Sequence, residues 1–148
     1  MKTAKDAALK LLNISPRSEH ELRAKLHDKY YTDEEVDEAV SFCKKYNYIN
    51  DEEYAKMYIS YNYKRYGKNL LKQKLIFDKK VDSDVVKFAL MDQLTDEMQI
   101  ESATEILEKY VRIRHLTEED KQKIFAHLAT KGISYDIAKV AFDEVFGN

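Results

Sequence analysis

Breakers are scarce in this chain: one proline and three glycines among 148 residues. So few turn formers exclude a strand-and-hairpin architecture, and the abundance of Lys, Glu, Leu and Ala favours helix throughout. Cysteine occurs once, as Cys43 in "VSFCKKY". A lone cysteine closes no internal disulfide, so a reducing, cytoplasmic setting is expected. Cys43 stands among apolar helix positions and reads as a small core residue rather than a nucleophile. No stretch approaches the ~18 consecutive apolar residues of a membrane span, and the N-terminus has no signal-peptide run; no membrane partner is expected.

Catalytic signatures are missing too. His20 and His27 lie two turns apart on one helix face, too far for one ion without further donors, and His115 and His127 have no evident mates. Asp82-Ser-Asp84 stands where a helix start is expected and reads as a cap rather than a magnesium site. Gly67, Gly132 and Gly147 are isolated, so no phosphate-cradling loop occurs, and no Ser or Cys has a base placed by a known motif. The expectation is a protein without catalytic activity, metal or cofactor.

What the chain does have is charge, unevenly placed. The net charge is −2, yet the sign changes abruptly along the sequence. Between Thr32 and Glu53 acids dominate, from Asp33, Glu34 and Glu35 to Asp51 and Glu52, opposed only by Lys44 and Lys45. From Lys64 to Lys80 the balance reverses: Lys64, Arg65, Lys68, Lys72, Lys74, Lys79 and Lys80 face only Asp78. Lysines on helices are usually just solvated. A local excess this large on a slightly acidic protein points instead to an anionic partner: nucleic acid, or an acidic protein face.

Helix starts are legible. Ser18-x-x-Glu21 and Thr32-x-x-Glu35 are capping boxes, and Asn50-x-x-Glu53 is the same device with Asn as cap. Thr117 opens the acidic first turn "TEED", and Pro16 sits where a helix begins but does not continue. These signals and the apolar periodicity predict nine helices, at about 3–13, 17–28, 33–46, 51–66, 68–78, 83–93, 97–112, 118–130 and 135–146. Apolar positions also recur over long spacing. Leu22, Leu26, Val36 and Val40 match Leu71, Leu75, Val85 and Ala89 at a constant offset of forty-nine. The second set matches Ile124, Leu128, Ile137 and Ala141 at fifty-three and then fifty-two, which puts a one-residue slip between Leu128 and Ile137. The fold expected is all-α: three tandem three-helix repeats over 1–50, 51–95 and 96–148, stacked as an elongated, curved array.

The helix "NDEEYAKMYISYN" raises a separate question, because tyrosines recur at nearly every turn. At about 100° per residue, Tyr54, Tyr58, Tyr61 and Arg65 form one stripe, and Ala55, Ile59, Tyr63 and Tyr66 a second. A helix apolar over half its circumference packs against more than one neighbour, so most of these rings are expected in the core. Stacking on single-stranded nucleic acid is the competing reading. Lys56 and Lys64 lie on the outward side and lead into the basic segment beyond Gly67.

Three motifs in order carry a resemblance. "RSEHELRAKL" (Arg17–Leu26), "YINDEEYAKMYI" (Tyr48–Ile59) and "RYGKNLLKQKL" (Arg65–Leu75) together resemble the RecX family, regulators of the RecA recombinase. "ATKGISYDIAKVAF" (Ala129–Phe142) is similar to that family's module ending, whereas the corresponding earlier turns, "DKYY" and "DKKV", lack its glycine. A non-glycine residue there implies a different or strained turn. The resemblance implies an elongated protein of three-helix tandem repeats that binds RecA and lies along the groove of its filament on single-stranded DNA; a monomer is expected. There it would block extension, strand exchange, ATPase and coprotease activity, and so modulate recombination, DNA repair and the SOS response.

On this reading Lys56, Lys64, Arg65, Lys68 and Lys72 face the filament, with Lys74 a weaker contributor. Glu21, Leu22, Leu26, Tyr54, Gly67, Leu71 and Leu75 are structural. Glu21 serves its capping box, while Arg17 and Lys25 stay undecided between binding and surface ion pairs. The alternatives are a helical module that binds single-stranded nucleic acid without any recombinase, and an enzyme built on an unrecognised constellation.

Overall fold

The computed structural model of the chain describes residues 2–147, and every regular element among them is helical. The predicted starts form as short-range chemistry dictates. In α2 (Glu19–Asp28) the Ser18 hydroxyl accepts from the Glu21 amide at 3.2 Å while the Glu21 carboxylate accepts from the Ser18 amide at 3.2 Å. Thr32 and Glu35 make the same pair at the start of α3 (Asp33–Lys45). Asn50 Oδ1 accepts from the amides of Glu52 and Glu53 at the head of α4 (Asp51–Asn62). A further box, Thr3 with Asp6, opens α1 (Ala4–Ile14). Asp82 Oδ2 accepts from the Asp84 amide at 3.1 Å, so this carboxylate starts α6 (Ser83–Gln93) as a cap. Thr95 caps α7 (Asp96–Arg114). Thr117 closes its box on Asp120 around a short 3-10 turn, Glu118–Asp120, ahead of α8 (Lys121–Thr130). The last helix, α9, spans Tyr135–Phe146.

Two helices are shorter than expected. α4 stops at Asn62 rather than running to residue 66. Asn62 is buried, donates to the Tyr58 carbonyl at 2.8 Å and accepts from Arg65 Nη2 at 2.6 Å. Beyond it the Gly67 amide donates to the Lys131 carbonyl at 2.6 Å, and the Asn69 amide to the Gly132 carbonyl at 2.9 Å. These bonds draw the chain off the helical path. A Cβ on Gly67 would lie 2.5 Å from the Gly132 carbonyl, and one on Gly132 2.3 Å from the Leu70 amide nitrogen. Gly67 is thus structural because two backbones meet there. The next helix, α5, covers only Lys68–Gln73 and passes into a π-helical turn, Lys74–Asp78.

That turn moves the slip in the repeat. Tyr30, Lys80 and Gly132 all adopt the left-handed conformation, with φ of 69°, 55° and 81°. The turns without glycine therefore keep the glycine geometry, at a cost of ~1–2 kcal/mol each. In the first and third repeats the Leu26 and Leu128 carbonyls accept from the amides of Tyr31 and Ile133; in the middle one Leu75 accepts from Val81, one residue further on. The extra residue sits in the wide turn. Accordingly Val36, Val86 and Ala138 are buried equivalents, as are Val40, Leu90 and Phe142, whereas Val85 and Ile137 are half-buried. The slip expected between Leu128 and Ile137 lies instead at Lys74–Asp78, because only there does a π turn widen the backbone.

The described chain groups into two compact units. One comprises the chain up to Ala55 with Leu75–Val86; the other comprises Lys56–Lys74 and the chain from Lys87 onward. In the first, α1 packs on α3 and α2, and Ala4, Ala7 and Ala8 let the helices approach closely around Leu22, Leu26, Val36, Val40 and Cys43. Cys43 is fully buried, and burial pushes its thiol pKa up, consistent with a core residue. In the second, α7 packs on α9 and α8 around Leu107, Ile124, Leu128, Ala141 and Phe142. Tyr54, Ile59, Leu71 and Leu75 are all buried. Tyr61 is not. It is 79% exposed, because the inward face of α4 runs through Ala55, Ile59 and Asn62 and leaves Tyr61 outside.

Candidate functional site

The basic residues singled out from the sequence fall into different surroundings. Lys56 is half-buried and pairs with Asp92 at 3.5 Å, so part of its charge is already neutralised. Lys64, Arg65, Lys68 and Lys72 are exposed. Lys74 is half-buried, its ammonium 4.9 Å from the centre of the Tyr66 ring, and the Arg65 guanidinium lies 5.2 Å from the same ring. Arg65 is also held by the buried Asn62, so its guanidinium is positioned before any partner arrives.

Of these residues, Lys64 and Arg65 line an open groove of about 610 Å³ on the second unit. Its other wall comes from residues that the charge run along the sequence did not single out: Lys109 and Arg114 on α7 and Lys131 at the end of α8. Glu105 is the one acid in the lining. Tyr110 stacks on His127 with ring centres 3.8 Å apart and planes 4° from parallel, and the Arg114 guanidinium lies 5.6 Å from the Tyr110 ring. Burial, with Lys131 and Arg114 nearby, pushes His127 below the usual imidazole range, so it is neutral at neutral pH. Among the described residues, none of Lys64, Arg65, Lys109, Arg114 or Lys131 is ion-paired. Five cations with no carboxylate partner leave a positive field open to solvent.

The motif residues of the first unit, Arg17, Glu21 and Lys25, differ in their surroundings. Glu21 completes its capping box and accepts from Lys79 Nζ at 3.1 Å. Burial opposes its ionisation, but the Lys79 and Ser18 hydrogen bonds outweigh it and hold the carboxyl below its usual value. Arg17 donates to the Leu11 carbonyl at 3.4 Å and Lys25 is exposed. Among the described residues, no group of three or more His, Cys, Asp or Glu side chains is placed to hold a metal ion, and no helix is long and apolar enough to cross a membrane.

The same architecture is found in known proteins. The regulatory protein RecX of Clostridium perfringens is 36% identical over 139 residues, which take in 89% of this chain and 63% of that protein. The regulatory protein RecX of Finegoldia magna is 31% identical over 139 residues, 90% of this chain and 67% of that protein. The chain belongs to the RecX family. The family model described as RecX, first three-helix domain, matches residues 4–43, which cover α1, α2 and most of α3. The crystal structure of RecX from Lactobacillus salivarius superimposes with a TM-score of 0.85 at 29% identity, covering 96% of this chain and 94% of that one. The chain spans about 63% of the length of the Clostridium perfringens RecX protein. The RecX motif "RYGKNLLKQKL" gains a physical meaning here, since Gly67 gives the close approach to Gly132 and Leu71 and Leu75 are fully buried.

Proposed function

We propose that this chain is a RecX-type regulator of the RecA recombinase, working in the cytoplasm as a monomer. It lies along the groove of the RecA filament on single-stranded DNA and blocks extension, strand exchange, ATPase and coprotease activity by occupancy rather than catalysis. The modules 1–50, 51–95 and 96–148 are the units that follow the filament. The observation that carries the reading is the match to RecX proteins along about nine-tenths of this chain. The mode of binding is supported by the exposed cations Lys64, Arg65, Lys68 and Lys72, which are unpaired among the described residues. Lys74 contributes less, being half-buried beside Tyr66, and Lys56 contributes least because Asp92 partners it.

The test is titration into a recombinase strand-exchange and ATPase assay, with free oligonucleotide binding measured alongside. Inhibition is expected well below the protein's own dissociation constant for free DNA. Charge reversal at Lys64, Arg65 and Lys68 should weaken that inhibition while helicity and melting stay unchanged. Strand exchange that proceeds unhindered at every concentration of the wild-type chain would defeat the proposal. A stand-alone single-stranded nucleic-acid binder is the second reading, favoured by the cations gathered on one groove. It predicts tight oligonucleotide binding and no effect on the recombinase beyond competition for DNA.

A further inference from the structure

We propose that the groove on the second unit is a track for the phosphate backbone of single-stranded nucleic acid, carried by Lys109, Arg114 and Lys131 together with Lys64 and Arg65. This rests on the reading above in taking filament DNA as the natural ligand, but it assigns the contact to helices α7 and α8.

Three observations point the same way. The five cations come from three segments (the turn after α4, α7 and the end of α8), converge on one concavity of about 610 Å³, and are left without ion-pair partners among the described residues. An anion satisfying all five has to be extended and multiply charged, which describes a phosphodiester chain and excludes a lone carboxylate. The aromatic planes are already engaged: Tyr110 by His127 at 3.8 Å, and Tyr66 by Arg65 and Lys74. The groove therefore offers incoming nucleotides cations rather than vacant stacking platforms. It reads backbone and is indifferent to base, whereas a stacking groove keeps open ring faces for successive bases. An acidic protein segment is the competing ligand. Such a partner needs apolar anchors with pockets to fill, and the aliphatic side chains of the lining are few: Ile106 is half-buried and Ile113 is 60% exposed.

The experiment is fluorescence-anisotropy binding without recombinase, using an oligothymidylate, an oligoadenylate and an abasic phosphodiester chain of equal length over a range of salt. The wild-type chain should bind all three with comparable affinity. Lys109→Glu with Arg114→Glu should weaken binding by about tenfold or more and lower the log–log salt slope by about 1.4, the loss of two phosphate contacts. The milder pair Lys109→Gln with Arg114→Gln should give a smaller loss in the same direction, and circular dichroism verifies that both variants fold. Unchanged affinity in a folded variant would overturn the proposal, as would binding that requires bases. So would polyglutamate competing better than oligothymidylate. Failure of the wild-type chain to inhibit strand exchange defeats the regulator reading and leaves the track standing. A null result with free oligonucleotides defeats the track and leaves the regulator.

Discussion

Arg23 in the first unit reaches Glu19 at 3.0 Å and Asp37 at 2.6 Å, Lys44 meets Glu19 at 3.1 Å, and Lys79 meets Glu21 at 3.1 Å. In the second unit Lys56 with Asp92 is the single ion pair among the described residues, and the cations around the groove have none. Both units are rich in lysine and arginine, yet they use them differently. In the first, Lys5, Arg23, Lys44 and Lys79 are set against its own carboxylates, tying α1 and α2 to α3, and α2 to the turn after the π segment. In the second, Lys56 alone among the described residues is so paired. A charge count therefore says little about binding until each charge is placed beside its neighbours.

The contrast breaks first at the backbone that builds the second unit. Gly132→Ala places a Cβ within 2.3 Å of Leu70 at a φ of +81° and should cost about 3 kcal/mol or more in chemical denaturation. Gly147→Ala, at φ +78° with nothing within 4 Å, should cost only ~1–2 kcal/mol. Equal losses would mean that close approach at Gly67 and Gly132 is not what holds this corner.

Core truncation should be large in both units, since packing does not depend on the sign of surface charge. Leu22→Ala and Leu71→Ala remove fully buried side chains, and each should destabilise by ~2–4 kcal/mol in urea titrations. A loss below about 0.5 kcal/mol at Leu71 would contradict the placement of α5.

Smaller again is the acid sensitivity of the first unit. The folded pKa of Glu21 is lowered, so its stabilisation is complete above the unfolded carboxylate value and is lost as pH falls through the folded one. Glu21→Gln should cost about 1 kcal/mol or less near neutrality, given partial solvent screening, and should flatten the acid limb of the stability curve. A variant with the wild-type acid limb would show that Lys79 and Ser18 do not set that pKa. The smallest effect belongs to the pair Lys56 with Asp92, half-buried on the lysine side: Lys56→Ala should shift stability by under about 1 kcal/mol. A larger shift would make the one ion pair of the second unit structural and blur the contrast.

Legibility in the sequence followed the range of the interaction. Ser18, Thr32 and Asn50 announced their helices because a cap and its carboxylate lie within one turn. The buried leucines Leu22, Leu26, Leu71 and Leu75 followed from periodicity. The slip at Lys74–Asp78 did not, because apolar spacing registers an extra residue without saying which turn holds it. The exposure of Tyr61 did not follow from the stripe it shares with Tyr54 and Tyr58, because α4 is apolar over about half its circumference and burial of the polar Asn62 sets its inward side. Lys109, Arg114 and Lys131 give no charge run in the sequence because Glu105 and Glu108 dilute the local charge along the chain; folding gathers the bases and turns Glu108 and Arg112 to exposed positions outside the groove lining. The meeting of Gly67 with Gly132 is a tertiary fact with no local sign.

The central claim is that unpaired cations of the second unit, and not the paired ones of the first, hold the recombinase filament. Strand-exchange inhibition by two charge-reversed chains of verified helicity tests it most directly: Lys64→Glu with Arg65→Glu, against Lys5→Glu with Lys44→Glu. The account predicts that the first variant loses inhibition and the second keeps it. Full inhibition by the first variant, or its loss in the second alone, would contradict the account.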